Sequence, residues 1–223
     1  MIGDAAALRA LRQHADDVGI AISNISAYHL YPEMDLDSLR PVIEAGAALG
    51  CKTIVATCQD PDLQHMACTL GLYGELAGQA GLRLAIENVA YSETNTIAKA
   101  LRVADAVNRD NVGLLVDPLH LARSGERPSA LAGINPRRFI FIQLCDAAAE
   151  KPAHLDLPAE ARTSRLFPGE GGLPLADFIR MFPPGIEIEV ETPTIETAAL
   201  SGEARAQILF DKTQQFLLRH PLA

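Results

Sequence analysis

Four apolar runs in this chain stop at a side chain with an oxygen to offer. They read RLAIE to Glu87, GLLVD to Asp117, FIQ to Gln143 and IEVE to Glu191. In a parallel α/β sheet the C-terminal ends of neighbouring strands open on one face, where such folds place their chemistry. Three carboxylates gathered there repel one another, and burying them unpaired is costly. A divalent cation compensates both terms. Three carboxylates and an amide oxygen suit Mg²⁺, Mn²⁺ or Co²⁺ best, with Zn²⁺ a lesser fit. A single acid at a strand end more often caps a helix, pairs with a base or faces water; the coincidence of four favours a site. Glu187, Glu189 and Glu191 alternate on one strand face, which makes Glu189 the rival ligand. Glu191 is preferred because its run stops there.

Two histidines and an arginine stand near these ends. His120 follows Asp117 in DPLH and would lean over the same mouth, able to bind or polarise a substrate oxygen. His29, after the apolar run Ile20–Ser26, is a weaker case of the same kind. In RLFPGEGGLPL (165–175), Arg165 is a clamp for an anion or hydroxyl, and the glycines Gly169, Gly171 and Gly172 serve a tight turn. Asp146 orients a ligand or Arg165, or makes a structural hydrogen bond. Cys145 packs in the core, and His65 and Met66 read as helix surface and core edge. His14, His154 and His220 have no recognisable partner.

The elements that must position these groups follow one grammar. An amphipathic stretch ends in Gly and a β-rich run follows, at VGIAISNIS, LGCKTIVATC and GLRLAIENV, with Gly19, Gly50 and Gly81 spaced 31 residues apart. Gly just past a helix end takes the left-handed conformation at little steric cost. A repeat of helix, Gly and strand is the βαβ unit, which predicts parallel strands covered by helices. Further strands are expected at 111–117, 138–146 and 186–191, and helices at 35–49, 94–107 and 201–219, the first capped by Asp35 or Asp37. The long polar stretch 147–175 reads as a substrate loop. Six strands are readable, where a closed (β/α)₈ barrel has eight in about 250 residues. No linker interrupts the chain, so residues 1–223 are expected to form one domain.

Composition removes other classes. The 223 residues carry 19 Lys+Arg against 28 Asp+Glu, a net charge of −9, which argues against a nucleic-acid surface. No apolar run approaches the roughly 20 residues of a membrane span, and the N-terminus lacks the apolar block of a signal peptide. The four cysteines form no CxxC pair. Reduced thiols in a cytoplasmic protein are the expectation.

At these residues the chain resembles the xylose isomerase-like TIM-barrel superfamily, the sugar phosphate isomerase/epimerase group. The matching pieces are AIENV, VDPLH, IQLCDA, RLFPGEGGLPL and IEVETP, in family order. The resemblance implies an α/β fold of (β/α)₈ TIM-barrel type. Glu87, Asp117, Gln143 and Glu191 would bind one divalent metal, and His120 and Arg165 would contact substrate. Many members have His where this chain has Gln143, while a group of 3-dehydroshikimate dehydratases has Gln. Members also begin with a strand, a helix and a second strand that this chain lacks. An N-terminal truncation, or a homo-oligomer covering the open barrel edge, would account for that.

The favoured expectation is a metal-dependent isomerase or epimerase acting on a small sugar or keto-polyol. Proton transfer next to a carbonyl, through an enediolate, would use Glu87 and Glu191 as acid and base. A dehydratase of the 3-dehydroshikimate or inosose type is the alternative, since loss of a β-hydroxyl needs the same constellation. A non-catalytic degenerate barrel that binds a small ligand is the third. An endonuclease would call for more histidines and a basic face.

Overall fold

The computed structural model describes residues 2–221, except for the side chain of Ala27. In chain order the elements are α1 (Ala5–Asp17), β1 (Asn24–Leu30), α2 (Arg40–Leu49), β2 (Thr53–Cys58), α3 (Leu63–Gln79), β3 (Arg83–Glu87), α4 (Ile97–Val107), β4 (Val112–Val116), α5 (Pro118–Arg123), β5 (Phe139–Leu144), α6 (Leu157–Thr163), α7 (Leu175–Ile179), β6 (Ile188–Val190) and α8 (Gly202–Arg219). The six strands follow chain order in one sheet. The pairs β1/β2, β2/β3 and β5/β6 are parallel. The described chain divides into two compact units. The first runs to Glu87 and takes in Ser92–Thr94 and Ala98–Leu114, and the second holds Asn88–Tyr91, Asn95–Ile97 and everything from Leu115.

In the first unit the expected grammar holds. Gly19, Gly50 and Gly81 all adopt positive φ, near 72–75°. Gly50 is the left-handed cap of α2, and its N–H closes on Ala47 O. Strand β2 is buried along its whole length, as a parallel strand covered on both faces must be. Helix α3 lays Met66, Leu70, Tyr73 and Ala77 into the core at spacings of four, three and four. Asp35 caps the short 3₁₀ turn Leu36–Leu39 that leads into α2, while Asp37 pairs with Arg40.

One strand is displaced from its expected place. The run Ile20–Ser26 was to be a strand, but β1 starts at Asn24, where its partner β2 begins at Thr53. Ile20 instead closes back on α1, its N–H donating to Ala15 O at 2.8 Å, and is 61% exposed. His29 therefore lies inside β1, opposite Thr57, rather than after it.

In the second unit an edge-to-face aromatic group joins Phe139, Phe178 and Phe182, with centroids 4.9 and 5.0 Å apart. A smaller cluster packs Cys145 and Ala147 against Leu119 and Ala161. The stretch expected as a loop after β5 contains helix α6, capped by Asp156 with Pro158 in its first turn.

Candidate metal centre

Asp117 follows β4 and is the N-cap of α5. Its extended backbone ends the strand, Pro118 presets the first helical φ, and Oδ1 accepts the His120 N–H at 2.9 Å. The motif VDPLH thus turns strand into helix within one residue and leaves a fully buried carboxylate at the turn. Oδ2 accepts from Arg165 Nη1 at 2.5 Å. Burial alone would lift the Asp117 carboxyl, but the Arg165 charge, His120 and the two hydrogen bonds hold it below the ordinary value.

Arg165 is pinned by backbone on both sides. The segment Ser164–Leu166 pairs with Asp146 through one antiparallel bridge and with Thr194 through another. Arg165 Nε donates to Ala161 O, an end carbonyl of α6, at 2.8 Å. The guanidinium is 3% exposed and reaches Glu191 Oε2 through Nη2 at 2.9 Å. Burial opposes its charge, yet Asp117, Cys145 and Glu191 together keep the group firmly protonated. Cys145 is core, as expected, and its Sγ also accepts from Arg165 at 3.3 Å.

The two candidate acids of β6 have separate partners. Glu189 stands opposite Gln143 in register and accepts its Nε2 at 3.2 Å. Glu191 shares Arg165 with Asp117, and the two carboxylates bring oxygens within 4.8 Å of each other. Burial raises the Glu191 pKa, as do the charges of Asp117 and Glu189, while Arg165 opposes the rise. Its side chain remains 42% open. Gln143 Oε1 is buried and has no hydrogen-bond partner among the described residues. A buried amide oxygen without a donor is costly in isolation. The Asp117 and Glu191 carboxylates and this amide oxygen are all oxygen donors, the kind that a hard divalent cation takes.

His120 is 3% exposed, and the ring of Tyr91 meets it edge-on at 5.6 Å. Burial pushes its pKa down to about 4, with Asp117 pulling the other way, so the imidazole is neutral at physiological pH. Asp146 settles as structural. Its oxygens accept from the backbone N–H of Ala147, Gly169 and Leu173, which closes the glycine-rich turn. At Gly171 a Cβ would lie 2.3 Å from Ala147 O and Asp146 Oδ1, so no side chain fits.

The remaining predicted residues lie in the first unit. Glu87 ends β3 and is buried, and its carbonyl accepts from Thr94 Oγ1. His29 is exposed on β1 and hydrogen-bonds Thr57 Oγ1 through Nδ1 at 2.5 Å. Two features escaped the sequence reading. Asp60, buried after β2, binds His65 Nδ1 at 2.5 Å, holding the acid below and the imidazole above their ordinary values. Arg123 clasps Glu160 with two hydrogen bonds, at 2.8 and 2.7 Å. A spacing of five residues hinted at the first pair; 37 residues separate the second, and no local signal marks it.

The family model for the xylose isomerase-like TIM barrel matches residues 3–210. The chain belongs to this family. Its fold is of the α/β TIM-barrel type, with six strands among the described residues. A 3-dehydroshikimate dehydratase of Pseudomonas putida is 26% identical over 77% of this chain and 28% of its own length. An inosose isomerase of Halalkalibacterium halodurans is 24% identical over 66% of this chain and 52% of its own. The chain thus spans about half or less of these curated relatives. Among solved structures, the IolI protein with a bound zinc atom superposes with a TM-score of 0.81 at 20% identity, covering 96% of this chain and 82% of that one. No described helix is long and apolar enough to cross a membrane.

Proposed function

We propose that this chain is a divalent-metal-dependent enzyme that moves a proton next to the carbonyl of a small polyol, keto sugar or related cyclic ketone. Glu87, Asp117, Gln143 and Glu191 would hold the ion. The observation that carries this reading is the buried, unpartnered Gln143 Oε1 together with the close Asp117 and Glu191 carboxylates. A bound divalent ion supplies Lewis-acid stabilisation of the negative charge that grows on a carbonyl oxygen.

The chain's own groups have distinct tasks. Glu191, open to solvent and with a raised pKa, suits a group that takes and returns a proton. Glu87 is its counterpart. Neutral His120 can donate a hydrogen bond to a substrate oxygen without adding charge beside Arg165. Arg165 keeps Asp117 ionised and its remaining lone pairs available. Return of the proton to the neighbouring carbon gives an isomer; loss of a β-hydroxyl gives dehydration. The second outcome is favoured by the amide at position 143 and by the dehydratase relative of Pseudomonas putida.

A metal-supplemented screen on keto sugars, inososes and 3-dehydroshikimate tests the reading, with Glu87→Gln as control. The variant should keep its fold and lose about 10²–10⁴-fold in turnover. Full activity in Glu87→Gln excludes the role given to that residue.

A further inference from the structure

Among the described residues, the buried side-chain atoms without a hydrogen-bond partner are Tyr73 Oη, Gln143 Oε1 and both polar atoms of Asn88, Nδ2 and Oδ1. The Gln143 oxygen belongs to the candidate metal centre, and Gln143 Nε2 is engaged by Glu189. Asn88 differs from the other two because its whole amide is unpaired while the residue is 0% exposed. An amide has two N–H donors and an acceptor oxygen with two lone pairs. Leaving them all unmade away from water costs stability, and native proteins seldom carry such a group without a use for it.

The ordinary structural uses of an asparagine do not apply. Asn88 directly follows β3, a place where Asn often folds its side chain onto a nearby backbone N–H to start a turn. No such bond forms here. Packing does not call for an amide either, since Leu has about the same size and would bring no unpaired polar atom.

Its place in the fold points to the site. Residues Asn88–Tyr91 belong to the second unit. Tyr91 seats this segment: its ring meets His120 at 5.6 Å, close to perpendicular, and packs on the cluster of Leu119, Cys145, Ala147 and Ala161. Leu119 and His120 lie in the first turn that Asp117 caps, and Cys145 follows the strand that carries Gln143. The two buried guanidinium groups of this unit, Arg123 and Arg165, are already held by carboxylates. Asn88 therefore offers a neutral donor and a neutral acceptor side by side. An oxyanion could use only the donor and would meet Oδ1 with like charge. A hydroxyl next to a carbonyl uses both.

We propose that the Asn88 amide binds the substrate's α-hydroxy ketone group, Oδ1 accepting from the hydroxyl and Nδ2 donating to the oxygen on the adjoining carbon. This assignment rests on the proposed function and names the substrate feature that the same site reads. A site that pairs a buried hydroxyl discriminates strongly against the analogue that lacks it. The enzyme thus selects hydroxylated ketones over their deoxy counterparts.

Titration of the ¹⁵N-labelled protein, with Mg²⁺ present, by hydroxyacetone and separately by acetone tests the assignment. The Asn88 side-chain amide signal, identified by its loss in Asn88→Leu, should shift saturably with hydroxyacetone and stay in place with acetone. Asn88→Leu should melt at or above the temperature of the parent, yet bind hydroxyacetone about tenfold less tightly. With any ketone that the screen finds to be a substrate, it should raise KM by about tenfold and lose the preference over the deoxy analogue. Asn88→Ala carries the same readouts if the leucine does not fit. Saturable shifts at His120 and Gln143 with none at Asn88, or parental affinity and KM in both variants, overturn the assignment and leave the proposed function standing. No shift anywhere in the second unit, with no turnover of any ketone, overturns both.

Discussion

Two buried arginines in the second unit hold carboxylates in different ways. Arg123 meets Glu160 with a two-pronged clasp, and its Nη atoms also donate to the carbonyls of Ala148 and Ala149. The exposures are 6% and 1%; Glu160 takes both its hydrogen bonds from Arg123, which also holds two backbone carbonyls. Arg165 instead divides its prongs between Asp117 and Glu191, giving each acid one. The amide oxygen of Gln143 has no hydrogen-bond partner among the described residues. The first arrangement is a closed clasp. The second leaves one guanidinium facing two carboxylates, an excess of negative charge.

Removing one partner should separate the two most sharply. Arg123→Ala strands a buried Glu160, and we expect a loss of roughly 3–5 kcal/mol in urea denaturation, unchanged by divalent ions. Replacing both partners by apolar residues should recover most of that loss. A loss below about 1 kcal/mol for the single variant would mean that water reaches Glu160.

Arg165→Ala should cost a similar amount, roughly 3–5 kcal/mol, because it strands the fully buried Asp117, while Glu191 can turn to solvent. Millimolar Mn²⁺ should restore much of this stability and raise the melting temperature of the variant more than that of the parent. If Mn²⁺ stabilises both proteins equally, or neither, the two arginines are the same kind of clasp and the comparison fails.

The smallest effects concern protons. His120, held neutral by burial, titrates near 4 in the metal-free native state but near 6.5 when unfolded. The unfolded chain binds the extra proton between those values, so stability falls as pH drops through that window. His65 behaves oppositely. Its pKa is raised by Asp60, so its contribution is fully present below about 6.5 and is lost as pH rises through the raised value. Imidazole NMR titration should show the two on opposite sides of the ordinary value, and Asp60→Asn should bring only His65 back towards it.

Much of the scaffold was legible because it rests on local chemistry. Gly19, Gly50 and Gly81 mark helix ends for the same steric reason in a peptide as in a fold. The apolar runs ending at Glu87 and Asp117 are strands because only a doubly covered parallel strand tolerates so few polar residues. Where the reading slipped, a partner was missing from view. Ile20–Ser26 looked like a strand, but pairing waits for Thr53. Glu189 and Glu191 were equivalent by alternation until Gln143 took one and Arg165 the other.

Residue type and order determined that this chain builds parallel βαβ units and carries side-chain oxygens at the strand ends, since backbone conformation and hydrophobic period are properties of short stretches. Only the tertiary structure decided which acid meets which base, that Arg165 reaches both Asp117 and Glu191, and that Asp146 holds backbone instead. Those are distance relations between residues far apart in the chain, and electrostatic energy depends on separation in space, which no local pattern records.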